Sequence, residues 1–437
     1  MTNYCGDHVK EKLNSIIKEM GKAPESFVKN PDKDFIRNRK LSFETVMKLL
    51  LSMGGNNIYK ELLDYFKYDI NTATASAFVQ QREKIRPEAS EYLFKAFTNS
   101  FENYKTFNGY RLLAADGSKL NIAHNPNDSD TYIKCGEAKG FNVLHLNALF
   151  DICNKVYTDA YIQPIRESNE RLALNTMVDR SDIKGDVIVI GDRGYECYNN
   201  FAHIQENGWK YVIRVKDKES KGMVSSFAST PSCEVFDKQI SLKLTRKQTK
   251  KVKADPTYKF LPNNVNFDYL ELKSSDIYLI SFRVVRFKIS DDSYETIITN
   301  LDEEEFGMDM IKELYHMRWG IETSFRELKY AIGLVNFHSK KVEYIEQEVF
   351  AKLTMYNFCE IITLNVVITH KQRKHVYQVN FTNAIHICMY FFRQPDDEYP
   401  PDIEALIQKN ILPVRKGRKD IRKIRSKSSV SFLYRVA

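Results

Sequence analysis

The sequence lacks the features that mark several classes of protein. Its seven cysteines are scattered, odd in number and never spaced as C-x2-C, so neither a disulfide framework nor a zinc ribbon is expected. Its nine histidines include no H-E-x-x-H motif, which argues against a zinc site. No apolar run has the length of a membrane span, and the first residues lack the apolar core of a signal peptide. We therefore expect a cytoplasmic protein that does not contact membranes.

The composition is that of a globular chain with a moderate basic excess. Its 437 residues are enough for two or three domains, and 43% of them are hydrophobic and 12% aromatic. The formal net charge is +8 and the pI is about 8.8, which is compatible with a nucleic-acid partner. The C-terminal stretch "VRKGRKDIRKIRSKSS" is dominated by Lys and Arg, and such blocks often bind polyanions.

Hydrophobic periodicity divides the chain into three parts. Residues 1–105 are predicted to be helical, because apolar residues recur at helical spacing in "SFETVMKLLLSMG" and "PEASEYLFKAFTNSFENY". A short helix there offers four polar side chains: Ser76, Gln80, Gln81 and Arg82. Small helical domains of this kind often bind DNA, and we predict an N-terminal DNA-binding domain. A plain helical cap is equally compatible with the pattern.

Residues 106–370 are predicted to form an α/β domain with a mixed sheet. "YRLLAADGSKL" is interpreted as a strand that ends at Asp116, and the apolar "DVIVIGDRGY" as a strand buried on both faces that ends at Asp192. Residues 217–293 interrupt the alternation of strands and helices and are predicted to be a β-rich insertion. Residues 371–437 are assigned to a helical C-terminal region with the basic tail.

The stretch "ELYHMRWGIETSFRELK", residues 313–329, has helical periodicity. With 100° per residue, one stripe of the helix carries a phenol, an indole, three cations and one carboxylate: Tyr315, Arg318, Trp319, Glu322, Arg326 and Lys329. The opposite side is apolar and should face a core: Leu314, Met317, Ile321, Phe325, Leu328 and Ile332. An ordinary solvated face, with Glu322 paired to Arg318 or Arg326, is the alternative interpretation.

Asp116, Asp192 and Glu322 together suggest metal chemistry. Carboxyl ends of strands in α/β sheets commonly carry reactive groups, and both aspartates are flanked by glycine. Three converging carboxylates suit Mg²⁺ or Mn²⁺, and two such ions about 4 Å apart can promote displacement at a phosphodiester. The cations around Glu322 would then hold phosphates, Tyr315 would hydrogen-bond a phosphate, and Trp319 would stack on an unpaired base.

The chain resembles the insertion-sequence-four family of bacterial transposases. Tyr315, Arg318, Glu322 and Lys329 match its Y-x2-R-x3-E-x6-K signature, and "AADGSKL" and "IGDRGY" resemble its two Asp motifs. The resemblance extends over nearly the whole chain. It implies an RNase H-like core with Asp116, Asp192 and Glu322 as the catalytic, metal-binding triad.

The resemblance also implies a reaction and partners. The reaction is cut-and-paste transposition: water nicks DNA at an element's end, and the freed 3′-OH attacks first the opposite strand and then target DNA. Arg318 and Lys329 would contact the cleaved end, and Arg193 would help to position it. The implied partners are duplex DNA with terminal inverted repeats, target DNA and a second copy of the chain. The implied location is the cytoplasm, at the nucleoid.

Two other hypotheses stay open at this stage. One is a transposase-derived protein that binds DNA without catalysis, because the N-terminal helices and the basic tail suit binding alone. The other is an RNase H-like nuclease or resolvase that does not transfer strands. His145 and His316 are expected to lie near the predicted site, but each is interpreted as structural or exposed.

Overall fold

A computed structural model describes residues 4–134, 136, 139–227, 230–291, 293–366, 377–395 and 401–414. The basic tail, predicted from the sequence, lies outside these residues from position 415 onward. Among the residues in these ranges, no helix combines the length and apolar character needed to cross a membrane.

The described residues form thirteen α-helices. In chain order they are α1 (Gly6–Lys22), α2 (Phe43–Ser52), α3 (Ile58–Tyr65), α4 (Ala75–Arg82), α5 (Glu88–Asn99), α6 (Glu170–Asp179), α7 (Tyr198–Glu206), α8 (Lys250–Ala254), α9 (Met308–Met317), α10 (Trp319–Tyr330), α11 (Val342–Leu364), α12 (Phe381–Arg393) and α13 (Ile403–Lys409). The first five confirm that the N-terminal part is helical, and several begin at Ser, Asn or Thr caps, which accept backbone N–H groups of the first turn.

Most of the strands belong to one large mixed sheet. The strands are β1 (Arg111–Ile122), β2 (Tyr132–Ile133), β3 (Phe141–Asp151), β4 (Val156–Pro164), β5 (Val187–Gly191), β6 (Lys210–Val215), β7 (Phe236–Thr245), β8 (Tyr258–Phe260), β9 (Ile277–Ser290), β10 (Ser293–Thr299), β11 (Tyr377–Val379) and β12 (Ile411–Pro413). The order in the sheet is β2-β3-β1-β5-β6-β10-β9-β7-β8, with β4 also paired to β3. The α/β class predicted from the sequence is confirmed.

Strand β5 lies inside this sheet, parallel to β1 on one side and to β6 on the other. All five of its residues are buried. Val187 and Val189 pack into a core with α6 and α7, whereas Ile188 and Ile190 pack into another with α9. The apolar run therefore has the cause predicted for it, burial on both faces of the sheet.

The segment predicted as a β-rich insertion extends the sheet. Strands β7 and β9 pair antiparallel, and β9 continues the sheet through β10 to β6. The side chains of β7 and β9 that face inward join the core built on β5 and β6.

One hydrophobic core joins the N-terminal helices to the rest of the chain. Helices α1 to α5 pack with α10 to α13 and with one face of β1, β3 and β4. Helix α11 is the centre of this core, because every residue from Tyr344 to Ile362 except Glu346 is buried. Such a helix, apolar around most of its circumference, needs partners on all sides.

A buried ion pair links α4 to α11. Arg82, 2% exposed, donates from Nη1 to Glu348 Oε1 at 2.8 Å and from Nε to Gln347 Oε1 at 2.8 Å. Burial alone would raise the pKa of Glu348, but Arg82 and His338 outweigh burial and hold it at about 2. Arg82, one of the polar residues considered for DNA binding, is therefore directed into the core.

Arg82→Ala should destabilise the folded chain by about 3–5 kcal/mol, because it leaves Glu348 as a buried charge without its main partner. Urea denaturation followed by circular dichroism measures the change. Lys341→Ala is the control. Lys341, just before α11, makes an exposed ion pair with Glu83, just after α4, so this pair joins the same two helices. Equal losses in the two variants would contradict this account.

Candidate active site

Asp116 and Asp192 meet where the parallel pairing of β1 and β5 stops. The last parallel pair is Ala114 with Ile190. Asp192 directly follows β5, as predicted. The prediction that the first strand ends at Asp116 is wrong: β1 continues to Ile122, because β3 goes on pairing with it on the other side. Beyond Ala114 the edge of β1 that faces β5 is therefore free of parallel pairing.

The segment 313–329 is not one continuous helix. It divides into α9 and α10 at Arg318, whose N–H donates to Tyr315 O while its own carbonyl accepts from Ile321 N. Both bonds span three residues, so the turn is tighter than an α-helix, although Arg318 keeps helical φ and ψ of −50° and −32°. Gly320, which has a low helix propensity, follows directly and weakens the helix at this point.

The predicted faces are kept along α10 but not along α9. Leu314, Ile321, Phe325, Leu328 and Ile332 are buried as expected. On the polar stripe, Trp319 is 53% exposed and Arg326 is exposed, and the Glu322 side chain is about one-third exposed. The interval of three to four residues therefore predicted the buried side of α10 correctly. The prediction is wrong for Tyr315 and Arg318, which are 4% and 6% exposed, and Tyr315 lies in the same core as Leu314.

Arg318 lies between two of the three predicted acids. Its Nη2 donates to Glu322 Oε1 at 2.7 Å, and its Nη1 lies 3.9 Å from Asp116 Oδ2. Its guanidinium also lies over the rings of Trp319 and Tyr315, at 5.3 and 5.8 Å from their centroids. The Arg318–Glu322 ion pair expected for an ordinary solvated face is thus present. Arg318 also pairs with Asp116 of β1, which is a predicted catalytic acid.

The three acids are close enough to influence one another electrostatically. Burial raises the pKa of Asp116 to about 6; the Gly117 N–H and Arg318 oppose the shift, and the charges of Asp192 and Glu322 add to it. Asp192 Oδ1 accepts the N–H of Gly194 at 2.7 Å, which fixes the turn after β5. The structure therefore brings Asp116, Asp192 and Glu322 to one place from three distant segments.

The other predicted DNA-contacting residues differ in their accessibility. Tyr315, near the end of α9, is 4% exposed and packs into the core between this helix and the sheet. It interacts with Arg214 near the end of β6. Lys329 donates from Nζ to Lys119 O at 2.8 Å, and burial lowers its pKa. Arg193 is exposed in the turn after Asp192.

A cavity of about 760 Å³ opens beside α10. Trp319 and Arg326 lie on its lining, together with Glu327, Tyr356 and Glu360. Burial raises the pKa of Glu360 to about 8, so its carboxyl is mostly protonated at neutral pH.

The donor chemistry of the acids fits a hard divalent cation, but their placement does not form a complete metal site. Carboxylate oxygens are the ligands that Mg²⁺ and Mn²⁺ prefer, and the mutual repulsion at Asp116 would be relieved by a cation. Within the ranges that the structure describes, however, no group of three His, Cys, Asp or Glu side chains is arranged to hold a metal ion. Arg318 instead contacts two of the acids.

Sequence reasoning missed two residues near the site, Glu170 and Arg214. Glu170 approaches Gly117 from the α6 side of the sheet together with His145, which was interpreted as structural or exposed, and Arg214 interacts with Tyr315. The available signal was the glycine after each aspartate motif, Gly117 and Gly194, which marks a position where another group approaches the backbone closely.

The family model for the Transposase DDE domain matches residues 107–358. This match covers more than half of the chain, and the chain therefore belongs to this family. Membership of this family places the chain in the class of transposases.

Among solved structures, the chain is similar to the cryo-EM structure of a piggyBac transposase synaptic complex with hairpin DNA. The two are 11% identical, the match covers 96% of this chain and 87% of that chain, and the TM-score is 0.47. None of the curated proteins compared with the chain matches it.

Two substitutions should move the pKa of Asp116 in opposite directions. Glu322→Gln removes a repelling charge and should lower the pKa below about 6, whereas Arg318→Ala removes an attracting charge and should raise it. Carboxyl ¹³C NMR of aspartate-labelled protein measures both shifts, with Asp116→Asn assigning the signal. Shifts of the same sign in both variants would contradict the described arrangement of charges.

Proposed function

We propose that this chain is a metal-dependent DNA transposase of the insertion-sequence-four type. It would catalyse phosphodiester hydrolysis and strand transfer at the ends of a bacterial insertion sequence, by cut-and-paste transposition. The observation that carries the proposal is that the charges of Asp192 and Glu322 both act on the carboxyl of Asp116, beside the end of β5. Their position at an opening in a mixed sheet supports the RNase H-like core that the sequence suggested.

Asp116, Asp192 and Glu322 are the residues that would hold Mg²⁺ or Mn²⁺, with two ions per site. Bound there, the ions would activate the attacking water or 3′-OH and stabilise the leaving oxygen. The chain's own contribution is to fix the carboxylates: β5 is buried on both faces, and the Gly194 N–H holds Asp192.

Six side chains are proposed to hold the DNA end: Tyr315, Arg318, Trp319, Arg326, Lys329 and Arg193. Trp319 and Arg326 carry most of this proposal, because both are exposed beside the cavity and can meet a base and a phosphate. Arg318 would have a double role, since its guanidinium pairs with Glu322 and lies near Asp116 and would contact a DNA phosphate when DNA binds. Tyr315 is buried and would act through Arg318 or Arg214.

The proposed partners are duplex DNA with terminal inverted repeats, target DNA and a second copy of the chain in the synaptic complex. Helices α1 to α5 are proposed to contact the terminal repeat, as an N-terminal DNA-binding part within residues 1–105. Residues 106–370 would be the catalytic part and residues 371–437 the C-terminal region. The place of action would be the cytoplasm, at the nucleoid.

Asp192→Asn should abolish nicking of a DNA that carries the element's terminal repeats, because the variant keeps the turn but loses a carboxylate charge. Gel analysis of labelled DNA with Mg²⁺ or Mn²⁺ measures the cleavage. Asp186→Asn is the matched control, since Asp186 is exposed just before β5 and should leave nicking unchanged. Cleavage by the Asp192 variant at the parental rate would reject the site.

Arg318→Ala should have opposite effects on two ligands. It should strengthen Mn²⁺ binding without DNA, because Asp116 and Glu322 lose a competing cation, and it should weaken binding to the DNA end. Mn²⁺ titration followed by electron paramagnetic resonance and fluorescence anisotropy with DNA measure the two effects. Arg326→Ala is the comparison, because no ion pair connects Arg326 to the acids among the described residues and only DNA binding should fall.

The second candidate is a protein that binds DNA without catalysis. The ion pairs of Arg318 favour it, because they place one cation against two of the three acids. A strand-joining assay separates the candidates: a covalent product between the element's 3′ end and a second duplex supports the transposase. Nicking without joining would indicate a nuclease instead.

A further inference from the structure

The loop from α1 to α2 is basic and is held in a defined shape. Asp34, 5% exposed, accepts the N–H of Asn30 at 2.9 Å and closes the turn that contains Lys33. Phe35 follows with a φ of 58°, a conformation that is strained for a phenylalanine, and its ring packs edge-on against Phe43 with 5.7 Å between the centroids. Because packing holds this strained residue, the cations on either side of it are presented from a fixed backbone.

The same loop is joined to the end of α4 by backbone pairing. Val28 and Ile85 form an isolated antiparallel bridge, and the Lys29 N–H donates to the Lys84 carbonyl at 2.8 Å. The Lys84 ammonium lies 5.7 Å from the centroid of the Phe35 ring. The basic loop and the residues that follow α4 therefore form one continuous surface.

A cleft of about 390 Å³ lies in this surface, and we call it the basic cleft. Four of its lining side chains are cations: Lys33, Arg37, Arg39 and Lys84. The others are apolar or carry an amide: Phe35, Ile36, Leu41 and Gln81. None of the described residues that line the cleft is acidic, so the positive potentials of the four cations add up inside a concave space.

The cations of the basic cleft differ from neighbouring cations in their partners. Lys29 pairs with Glu343 at 2.9 Å, and Lys40 pairs with Asp69 at 3.3 Å. In the part of the chain that the structure describes, no carboxylate lies within 4.0 Å of the charged groups of the four cations that line the cleft. Like charges gathered without an acid between them are stabilised by an anion, and the guanidinium fork matches a phosphate.

The basic cleft has a fixed attachment to the catalytic part of the chain. Gln81 lies on its lining, and the next residue, Arg82, makes the buried ion pair with Glu348 of α11. Arg82 also donates to the Tyr344 carbonyl of α11. Helix α11 shares its core with α10, which carries Glu322. A DNA strand held in the cleft would therefore follow a defined path relative to the acids.

We propose that the basic cleft binds backbone phosphates of duplex DNA. The contacting groups are the charged ends of Lys33, Arg37, Arg39 and Lys84. Contacts of this kind hold and orient DNA without reading its sequence. The inference rests on the proposed function, because it assigns a surface within residues 1–105 to the DNA that the transposase would cut.

The salt dependence of DNA binding tests the proposal, with the full-length protein, a fluorescent duplex of mixed sequence and anisotropy as the readout. The double variant Arg37→Ala, Arg39→Ala should bind more weakly, and its slope of log K against log salt concentration should be shallower by about 2, with about one unit for each lost phosphate contact. The matched control is Lys184→Ala, Lys238→Ala, which removes two exposed cations outside residues 1–105 and should keep the parental slope. A parental slope in the arginine variant would overturn the proposal, as would a loss confined to an RNA duplex.

A charge-keeping variant and a modified DNA separate a phosphate contact from a loss of local structure. Arg37→Lys, Arg39→Lys should keep most of the slope, since lysine binds a phosphate as a point charge. A methylphosphonate, which removes the charge of one phosphate, should weaken the parent at some positions of the duplex and leave the alanine variant unaffected there. Equal weakening of both proteins at every position would show that these arginines contact no phosphate.

The outcomes separate this inference from the proposed function. If the parent nicks terminal-repeat DNA and the arginine variant keeps the parental slope, only the role of the cleft is rejected. If the variant loses slope but the parent never nicks, the cleft is retained and the transposase activity is rejected. If both hold, the variant should nick with a higher KM and the parental kcat, because its acids are intact. Thermal unfolding verifies folding; if the double variant does not fold, Lys33→Ala should make the slope shallower by about one unit, and a parental slope there would overturn the proposal.

Discussion

Burial of the Asp116 carboxyl beside Arg318 and two other acids, next to the end of β5, is the constraint on which the rest of this site depends. Like charges separate unless the scaffold holds them or a cation lies between them. Here β5 is buried on both faces, the Gly194 N–H fixes Asp192, and Arg318 supplies the positive charge between Asp116 and Glu322. The site is therefore held together by a doubly buried strand and by the Arg318 side chain.

The topology of the sheet supplies the space for this group of charges. Parallel pairing between β1 and β5 stops at Ala114, while antiparallel pairing with β3 holds β1 in place as far as Ile122. The last part of β1 is therefore open on the side of β5, while its pairing with β3 keeps the strand in the sheet. Helices from both faces reach this opening, α10 from one side and the start of α6 from the other.

Local periodicity allowed much of this arrangement to be predicted from the sequence. The apolar run before Asp192 identified a doubly buried strand, and the spacing of Ile321, Phe325 and Leu328 identified the buried side of α10, because both patterns depend only on near neighbours. The break at Arg318 has a local signal in Gly320, whereas the approach of Glu170 depends on contacts between distant segments. No periodicity encodes such contacts, and only the glycines at 117 and 194 hinted at them.

The shared core around α11 limits how this chain can evolve. Helices α1 to α5 cannot be exchanged for those of another protein without uncovering α11, which is buried on nearly every side. The buried ion pair of Arg82 and Glu348 adds an electrostatic penalty to such an exchange. Exposed positions of α4 such as Ser76 and Gln80 can therefore be substituted without disturbing this core, whereas an exchange of the whole helical part would uncover α11.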